Sequence, residues 1–332
     1  MNSIKRIAAL AITAFVAMDA HAADKIRIMV GGINKIIYLP AELTQQLGYF
    51  KQEGLDVELM SEPAGVNAEN EMLAGAVQGV VGFYDHTIDL QSKGKLVESV
   101  VQFAKVPGEA ELVASKYAAT IQGPAGFRGH TLGVTGLGSS TDFLTQFMAA
   151  KAGLKQGEYS LLPVGAGNTF IAAMQQDRIQ AGMTSDPTAA RMLSSGQAKV
   201  LVDLRTEAGT REALGGVYPA ASLYMPNAWV AAHQAEVAKL ARAFVRTLQY
   251  MHSHSAEQIA ELMPRDYYGG DKALYISALK ASLPMFTADG RMPADGPQTV
   301  LKVLSTFKPA VRNAHIDLAK TYTTQFVEAA GK

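Results

Sequence analysis

The sequence predicts an α/β protein made of two lobes of similar architecture. The chain opens with an apolar strand pattern at Ile26–Val30, an apolar stripe of helical spacing that runs to Gly48, and an alternating pattern at Leu55–Leu59. This succession is typical of a βαβ unit. Residues 62–94 and 163–196 then share one order of features: polar loop, helix, short strand, second loop, second helix and glycine. The shared order indicates two lobes of the same class.

Short apolar or alternating runs bounded by turn residues predict the strands. In the first part of the chain they cover residues 26–30, 55–59, 79–83, 97–103 and 110–114. In the second part they cover residues 129–134, 159–164, 181–184 and 198–203. Residues 215–225 are predicted to return the chain from the second lobe to the first.

Helical spacing predicts helices between these strands, most of them ended by a glycine. Asn67 is the expected N-cap of a helix that runs through Ala76. A helix after His86 is expected to end at Lys93. Three more helices are expected at residues 142–152, 169–176 and 189–194.

From residue 231 the chain is predicted to be mostly helical. Leu240, Phe244, Leu248 and Met251 repeat at helical spacing along one face. Two further helices are expected at residues 273–283 and 298–307, and we expect these helices to support the first lobe.

Residues 1–22 have the features of a secretory signal peptide. Lys5-Arg6 is a basic start, Ile7–Met18 is apolar but too short to span a bilayer, and Ala20-His21-Ala22 has small residues at the cleavage positions. We therefore expect cleavage before Ala23 and a soluble exported protein. An uncleaved membrane anchor is the alternative.

The composition excludes several functional classes. The 332 residues include 30 basic and 30 acidic side chains, so no basic excess favours nucleic acid as a partner. The absence of cysteine excludes disulfides, thiolate metal sites and cysteine nucleophiles. Without residues 1–22 the chain is still long enough for two lobes with separate cores.

The loop Gly136-Leu-Gly-Ser-Ser-Thr141 separates a predicted strand from a predicted helix. A helix N-terminus has unpaired N–H groups and a partial positive charge, and glycines let an anion approach the backbone. The loop therefore predicts a site for a carboxylate, sulfonate or phosphate. The alternative is an ordinary Ser or Thr N-cap with no ligand. The spacing of residues matches neither a Walker loop nor a dinucleotide fingerprint.

Several other loops are expected at the same cleft, because ligands of open α/β sheets bind outside the carboxyl ends of the strands. Their polar and aromatic side chains suit a small ligand with an anionic end and a body packed on aromatic rings. The candidate ligand-binding residues are Asn34, Lys35, Tyr38, Tyr84, Asp85, His86, Ser139, Ser140, Thr141, Asn168 and Asp186.

Some of these candidates have a simpler structural role as an alternative. Asn34 and Asn168 are residues that commonly form turns. Lys35 is otherwise a solvated side chain, His86 a residue at a helix start with no ligand contact, and Asp186 a cap for the following helix. Tyr84 directly follows a buried strand, and we expect it to form a wall of the ligand site.

No motif indicates catalysis, a metal or a cofactor. The G-x-S-x-G elbow and the H-E-x-x-H metal motif are absent from the sequence. His252 and His254 lie two residues apart on a predicted helix, so they point in different directions and make a poor metal pair. We therefore predict no catalytic residue and no bound metal or cofactor.

Three segments carry a resemblance to a known family. They are Gly48-Tyr-Phe-Lys-Gln-Glu-Gly-Leu-Asp-Val57, the helix and turn at Leu73–Phe83, and Phe127-Arg-Gly-His-Thr-Leu-Gly-Val134 before Gly138-Ser-Ser-Thr141. In their order and spacing the chain resembles the periplasmic substrate-binding proteins of ABC importers. The branch is that of the SsuA/TauA proteins, which take up sulfonates, nitrate and taurine, and of the THI5-like proteins.

The resemblance implies the fold of a type II periplasmic binding protein. In that fold two Rossmann-like lobes with mixed central sheets are joined by two crossover strands, and the ligand cleft lies between them. Lobe I is then residues 24–111 plus 217–332, and lobe II is residues 112–216. Ser139, Ser140 and Thr141 match the family's binding loop in the second lobe.

The expected function is that of a periplasmic receptor for a small organic anion, such as a sulfonate or an aromatic carboxylate. We expect hinges near residues 110–114 and 216–222, a monomer, and delivery of the ligand to an inner-membrane ABC permease. One alternative is an enzyme on the same fold, for which His86 is the obvious candidate base. The other is a sensor subunit that presents its ligand to a membrane receptor.

Overall fold

The computed structural model describes residues 25–330. The predicted signal peptide and its cleavage site lie outside these residues. The described part of the chain contains ten strands, with these bounds: β1 Ile26–Val30, β2 Val57–Ser61, β3 Gly79–Phe83, β4 Val97–Gln102, β5 Glu109–Ala114, β6 Thr131–Val134, β7 Ser160–Pro163, β8 Ala181–Ser185, β9 Ala198–Asp203 and β10 Ala221–Pro226.

Helices separate most of the strands and form nearly all of the chain after β10. None of the described helices has both the length and the apolarity needed to cross a lipid bilayer. Their bounds are α1 Leu39–Gln46, α2 Tyr49–Gln52, α3 Gly65–Leu73, α4 Asp85–Ser92, α5 Ser140–Lys151, α6 Asn168–Gln175, α7 Thr188–Ser194, α8 Glu207–Leu214, α9 Asn227–Ala232, α10 Gln234–Ser253, α11 Ala256–Leu262, α12 Lys272–Ser282, α13 Gly296–Phe307, α14 Pro309–Asn313 and α15 Gln325–Ala330.

The strands form two five-stranded mixed sheets, which confirms the predicted α/β class. The first sheet has the order β2-β1-β3-β10-β4, and β10 runs antiparallel to both of its neighbours. The second sheet has the order β7-β6-β8-β5-β9, and β5 is antiparallel to β8 and β9. We use first lobe and second lobe for each sheet with the helices that cover it.

The chain passes between the sheets twice, once between β4 and β5 and once between β9 and β10. Strand β5 pairs along its length with β8 and β9 of the second sheet. The predicted lobe boundary between residues 111 and 112 therefore falls inside a fully paired strand, as does the expected hinge at 110–114. We propose the loop of residues 103–108 as the first boundary and hinge instead.

Helix α10 anchors the core of the first lobe. Its predicted apolar face, formed by Leu240, Phe244, Leu248 and Met251, is buried. The ring of Phe244 lies 4.8 Å from that of Phe103, the residue after β4, measured between centroids. Burial of each such side chain contributes about 1.5–3 kcal/mol to folding. The helix is therefore held against the sheet by its apolar face.

Helix α3 begins at Gly65, two residues before the predicted N-cap Asn67. The extended Ala64 is the N-cap, and its carbonyl accepts hydrogen bonds from the amides of Asn67 at 3.1 Å and Ala68 at 3.2 Å. The expectation for Asn67 was wrong because backbone groups close the first turn without a capping side chain. The earlier start brings Gly65 against His86, since a Cβ at Gly65 would lie 3.1 Å from Nε2 of that histidine.

Two glycines face each other where β6 and β8 pair, at Gly133 and Gly182. A Cβ at Gly182 would lie 2.9 Å from Cα and 2.7 Å from the carbonyl oxygen of Gly133. We expect Gly182→Ala to lower the free energy of unfolding by about 1–3 kcal/mol, because rigid backbone would have to move. Urea unfolding measures this change.

The matched control is Gly123→Ala in the same lobe. Gly123 has an extended backbone with φ −179° and no atom within 4 Å of its hypothetical Cβ. This variant is expected to be as stable as the wild type or slightly more stable. Equal losses in both variants would contradict the close-approach argument.

Candidate functional site

A cavity of about 470 Å³ lies between the two lobes. Its volume is in the range of small-molecule sites. Loops after β1 and β2 form one side, and loops after β7 and β8 form the other, as expected for the carboxyl ends of strands. The lining residues are Gly32, Ile33, Asn34, Lys35, Ser61, Glu62, Pro63, Gly165, Ala166, Gly167, Asn168, Thr169, Pro187, Thr188, Arg191, Asp266, Tyr267 and Gly269.

Two cationic side chains line this cavity, Lys35 from the first lobe and Arg191 from the second. Nζ of Lys35 donates to the carbonyls of Gly31 at 2.7 Å and Pro63 at 3.2 Å. Nη1 of Arg191 donates to Oδ1 of Asn168 at 3.0 Å. Burial lowers the pKa of Lys35 to about 8, while Glu109 opposes the shift. Most Lys35 side chains are therefore cationic at neutral pH.

Asp85 lies deeper and joins the lobes. It is the first residue of α4, and its side chain is fully buried. Oδ1 accepts a hydrogen bond from Oγ of Ser140 at 2.8 Å, and Oδ2 accepts one from the Tyr218 hydroxyl at 2.8 Å. Burial raises the pKa of Asp85, and His86, Tyr218 and Ser140 oppose the shift. One carboxylate thus connects α4 of the first lobe to the start of α5 in the second.

The predicted anion site at Ser139–Thr141 contacts the protein's own groups. Oγ of Ser139 donates to the carbonyl of Gly136 at 2.6 Å, and Oγ1 of Thr141 accepts from the Thr135 amide at 2.9 Å. Ser140 donates to Asp85, and all three side chains are buried away from the lining of the cavity. The start of α5 does receive a carboxylate, but it is that of Asp85.

His86 forms a buried pair with Glu69, with Nδ1 2.5 Å from Oε2. Its ring stacks on Tyr224, with centroids 6.2 Å apart. Burial alone would lower the pKa of His86, but the Glu69 carboxylate raises it above the ordinary value. The second ring nitrogen, Nε2, is buried without a hydrogen-bond partner among the described residues and lies 4.0 Å from Oδ1 of Asp85.

The two predicted tyrosines have different surroundings. Tyr84 lies in the interior of the first lobe, where its hydroxyl is 2.5 Å from Oγ1 of Thr321. We therefore remove it from the proposed ligand contacts. Tyr38 is buried near the carboxyl groups of Glu109 and Asp85. Burial raises its pKa, and the carboxylates of Glu109 and Asp85 add to the shift.

Asp186 caps a helix, which is the alternative that the sequence left open. Oδ1 accepts from the Ala190 amide in α7 at 2.9 Å, and Oδ2 lies 3.6 Å from Nη1 of Arg205. Burial raises the pKa of Asp186, and Arg205 opposes the shift. Its backbone carbonyl accepts from the amide of Ile36 at 3.0 Å, which is a second direct bond between the lobes.

The sequence reasoning missed two glutamates on one face of β5. Glu109 is 5% exposed and Glu111 is fully buried. Oε2 of Glu111 accepts from Oγ1 of Thr145 at 3.0 Å, whereas Oε2 of Glu109 is buried without a hydrogen-bond partner in the described part of the chain. Burial raises the pKa of both. The available signal was a pair of glutamates at alternate positions of an otherwise apolar strand. Glu69, Arg191 and Tyr218 were also missed.

The sequence and the fold are similar to those of known proteins. Residues 38–258 match the family described as NMT1/THI5 like. A solved structure from Bordetella bronchiseptica RB50 is 35% identical with a TM-score of 0.89, over 92% of this chain and 96% of that one. No curated protein sequence matches.

Two more distant structures share the fold. The periplasmic aliphatic sulphonate binding protein SsuA from Escherichia coli is 20% identical with a TM-score of 0.67, over 89% of this chain and 91% of that one. The periplasmic nitrate-binding protein NrtA from Synechocystis PCC 6803 is 12% identical with a TM-score of 0.70, over 93% and 88% of the two chains. These likenesses confirm the predicted two-lobed periplasmic binding protein fold.

Glu111→Gln tests the buried carboxyl on β5. Burial raises the pKa of Glu111 from its ordinary 4.5 to about 8, while the bond from Thr145 opposes the shift. Between these values the folded state holds a proton that the unfolded state has lost, so stability falls as pH rises. The loss amounts to at most roughly 1.4 kcal/mol per pH unit in that interval.

We expect the Gln variant to lack this loss, so that its stability relative to wild type increases from about pH 5 to about pH 7.5. Urea unfolding at both pH values measures the difference. The control is Glu212→Gln, because Glu212 is exposed. A constant difference between wild type and Glu111→Gln at the two pH values would show that Glu111 does not titrate in this range.

Proposed function

We propose a ligand-capturing role from one premise: the chain belongs to the NMT1/THI5-like family and has the type II periplasmic binding protein fold. Its structural neighbours include SsuA- and NrtA-type periplasmic binding proteins. In this proposal the protein is a solute receptor in the periplasm. It holds a small organic anion between its lobes and delivers it, as a monomer, to an inner-membrane ABC permease.

The observation that carries the proposal is the cavity between the lobes with Lys35 on one side and Arg191 on the other. Two cations from separate lobes can contact one anionic group only when the lobes are close together. Binding would therefore favour closure, since the ligand makes its full contacts in the closed state alone.

We place the anionic group of the ligand at Lys35 and Arg191, and not at the loop that the sequence predicted. Lys35, Arg191 and the loop Gly165–Gly167 line the cavity, whereas Ser139–Thr141 do not. Arginine suits a carboxylate or sulfonate because its planar guanidinium donates two parallel hydrogen bonds. Asn34 and Asn168 lie on the same lining and provide amide groups for orienting the ligand.

The position of His86 does not support the alternative that the protein is an enzyme. His86, its candidate base, is 1% exposed and paired with Glu69. It is not part of the cavity lining. The sensor alternative shares the same ligand site and differs only in the membrane partner, so a ligand-dependent complex with a permease or with a receptor would separate the two.

Loss of either cavity cation is expected to weaken binding of an organic anion. A thermal-shift screen of carboxylates and sulfonates should identify a ligand, since a compound at a hundred times its Kd stabilises a protein by about 2.7 kcal/mol. Lys35→Met and Arg191→Gln should then raise its Kd at least about tenfold, because each removes a charged hydrogen bond.

The control is Arg178→Gln, which removes an exposed arginine of the same lobe outside the cavity lining. The affinity of Arg178→Gln for the ligand found in the screen should equal that of the wild type. The proposal is overturned if no small molecule shifts the melting temperature. An unchanged Kd in both Lys35→Met and Arg191→Gln would overturn the assignment of the anionic group to this cavity.

A further inference from the structure

We infer that Glu109 and Ser185, next to Asp85, form an inner subsite for a protonated amine or ring N–H of the ligand. The inference rests on the proposed function and narrows its ligand class. The ligand would carry an anionic end toward Lys35 and Arg191 and a donor-bearing end toward the inner subsite. It would then be a zwitterion or a similar donor–acceptor molecule, and not a simple anion.

The inner subsite lies directly behind the cavity wall. Glu109, the first residue of β5, pairs with Ser185, the last residue of β8, so their side chains share one face of the second sheet. Two residues further along the chain, Pro187 lines the cavity. Only Asp186 separates Ser185 along the chain from the cavity lining.

Two buried polar atoms of this subsite have no hydrogen-bond partner among the described residues. They are Oε2 of Glu109 and Oγ of Ser185. These side chains are 5% and 2% exposed, respectively. An unpartnered buried polar atom costs free energy comparable to a lost hydrogen bond, and a bound ligand can recover that cost.

The charges near these atoms favour a donor over a second anion. Asp85 already accepts two hydroxyl donors, so it contributes negative charge without an open acceptor. Glu109 interacts electrostatically with both Lys35 and Asp85. An ammonium or N–H group would donate to Glu109 and be attracted by Asp85. A plain anion at the same place would meet two carboxyl groups.

Lys35 connects the cavity with the inner subsite. It lines the cavity, and it is also the cation that most directly opposes the shift in the pKa of Glu109. A ligand that spans both places would have its anionic end on the outer side of Lys35 and its amine on the inner side. This order of charges fixes one orientation of the ligand.

The experiment compares matched compounds by calorimetry. The probes are 4-(aminomethyl)benzoate with 4-methylbenzoate, and 3-aminopropanesulfonate with propanesulfonate. In at least one pair the amino-bearing member should bind the wild type about tenfold or more tightly than its partner, as expected for one charged hydrogen bond. Glu109→Gln should reduce that ratio to less than about threefold.

Two further variants keep the result interpretable. Ser185→Ala removes the neighbouring hydroxyl and should also lower the ratio, which covers the case in which Glu109→Gln does not fold. Glu111→Gln is the matched control, because Glu111 is a buried glutamate on the same strand face that is bonded to Thr145. It should leave the ratio unchanged.

The outcomes separate this inference from the proposed function. If the plain anions bind as tightly as the amino-bearing compounds, the inference is wrong while the receptor function stands. An amine preference that survives both Glu109→Gln and Ser185→Ala also overturns it. If no member of either pair binds, the inference fails for these ligand classes, and the placement of the anionic group is decided separately by Lys35→Met and Arg191→Gln with a ligand found in the screen.

Discussion

The carboxylate of Asp85 is the interaction on which the arrangement of the site depends. It accepts hydroxyl donors from Ser140, at the start of α5, and from Tyr218, in the segment that leads back into β10. A fully buried carboxylate needs such donors to offset its desolvation. The partial positive charge at the start of α5 adds to them. The first lobe, the second lobe and the returning chain therefore meet at one group.

Several other buried ionisable groups lie around this contact. On one side His86 is paired with Glu69, and on the other Glu109 interacts with Lys35. Lys35 and Arg191 face the cavity, while the carboxyl groups of Asp85 and Glu109 lie behind it. In the proposed site a ligand would meet the two cationic side chains first and the buried carboxyl groups next. The site thus has a direction, which a uniformly cationic pocket would lack.

Local patterns in the sequence were sufficient for most of the fold. Alternation and glycine breaks predicted β3 and β9 to the residue, but no local pattern shows that β10 lies between β3 and β4. In the site, the expectation that ligands bind at the carboxyl ends of strands predicted that Lys35 and Asn168 would lie at the cavity, and both line it. That expectation could not show that Ser140 donates a hydrogen bond to Asp85, which lies 55 residues away in the sequence. Glu109 escaped notice because alternate charges on a strand usually indicate a solvent face.

Two of the hydrogen bonds between the lobes are individually weak. The structure has a hydroxyl–carboxylate bond from Ser140 to Asp85 and a backbone bond from Ile36 to Asp186. Bonds of these kinds contribute about 0.5–3 kcal/mol each. A ligand shifts an equilibrium only by its differential affinity for the two states. Because Asp85 forms its interlobe bond with the protein's own Ser140, the ligand does not have to neutralise that carboxylate. In the proposed function, its contacts with Lys35 and Arg191 would then add to the stability of the closed state.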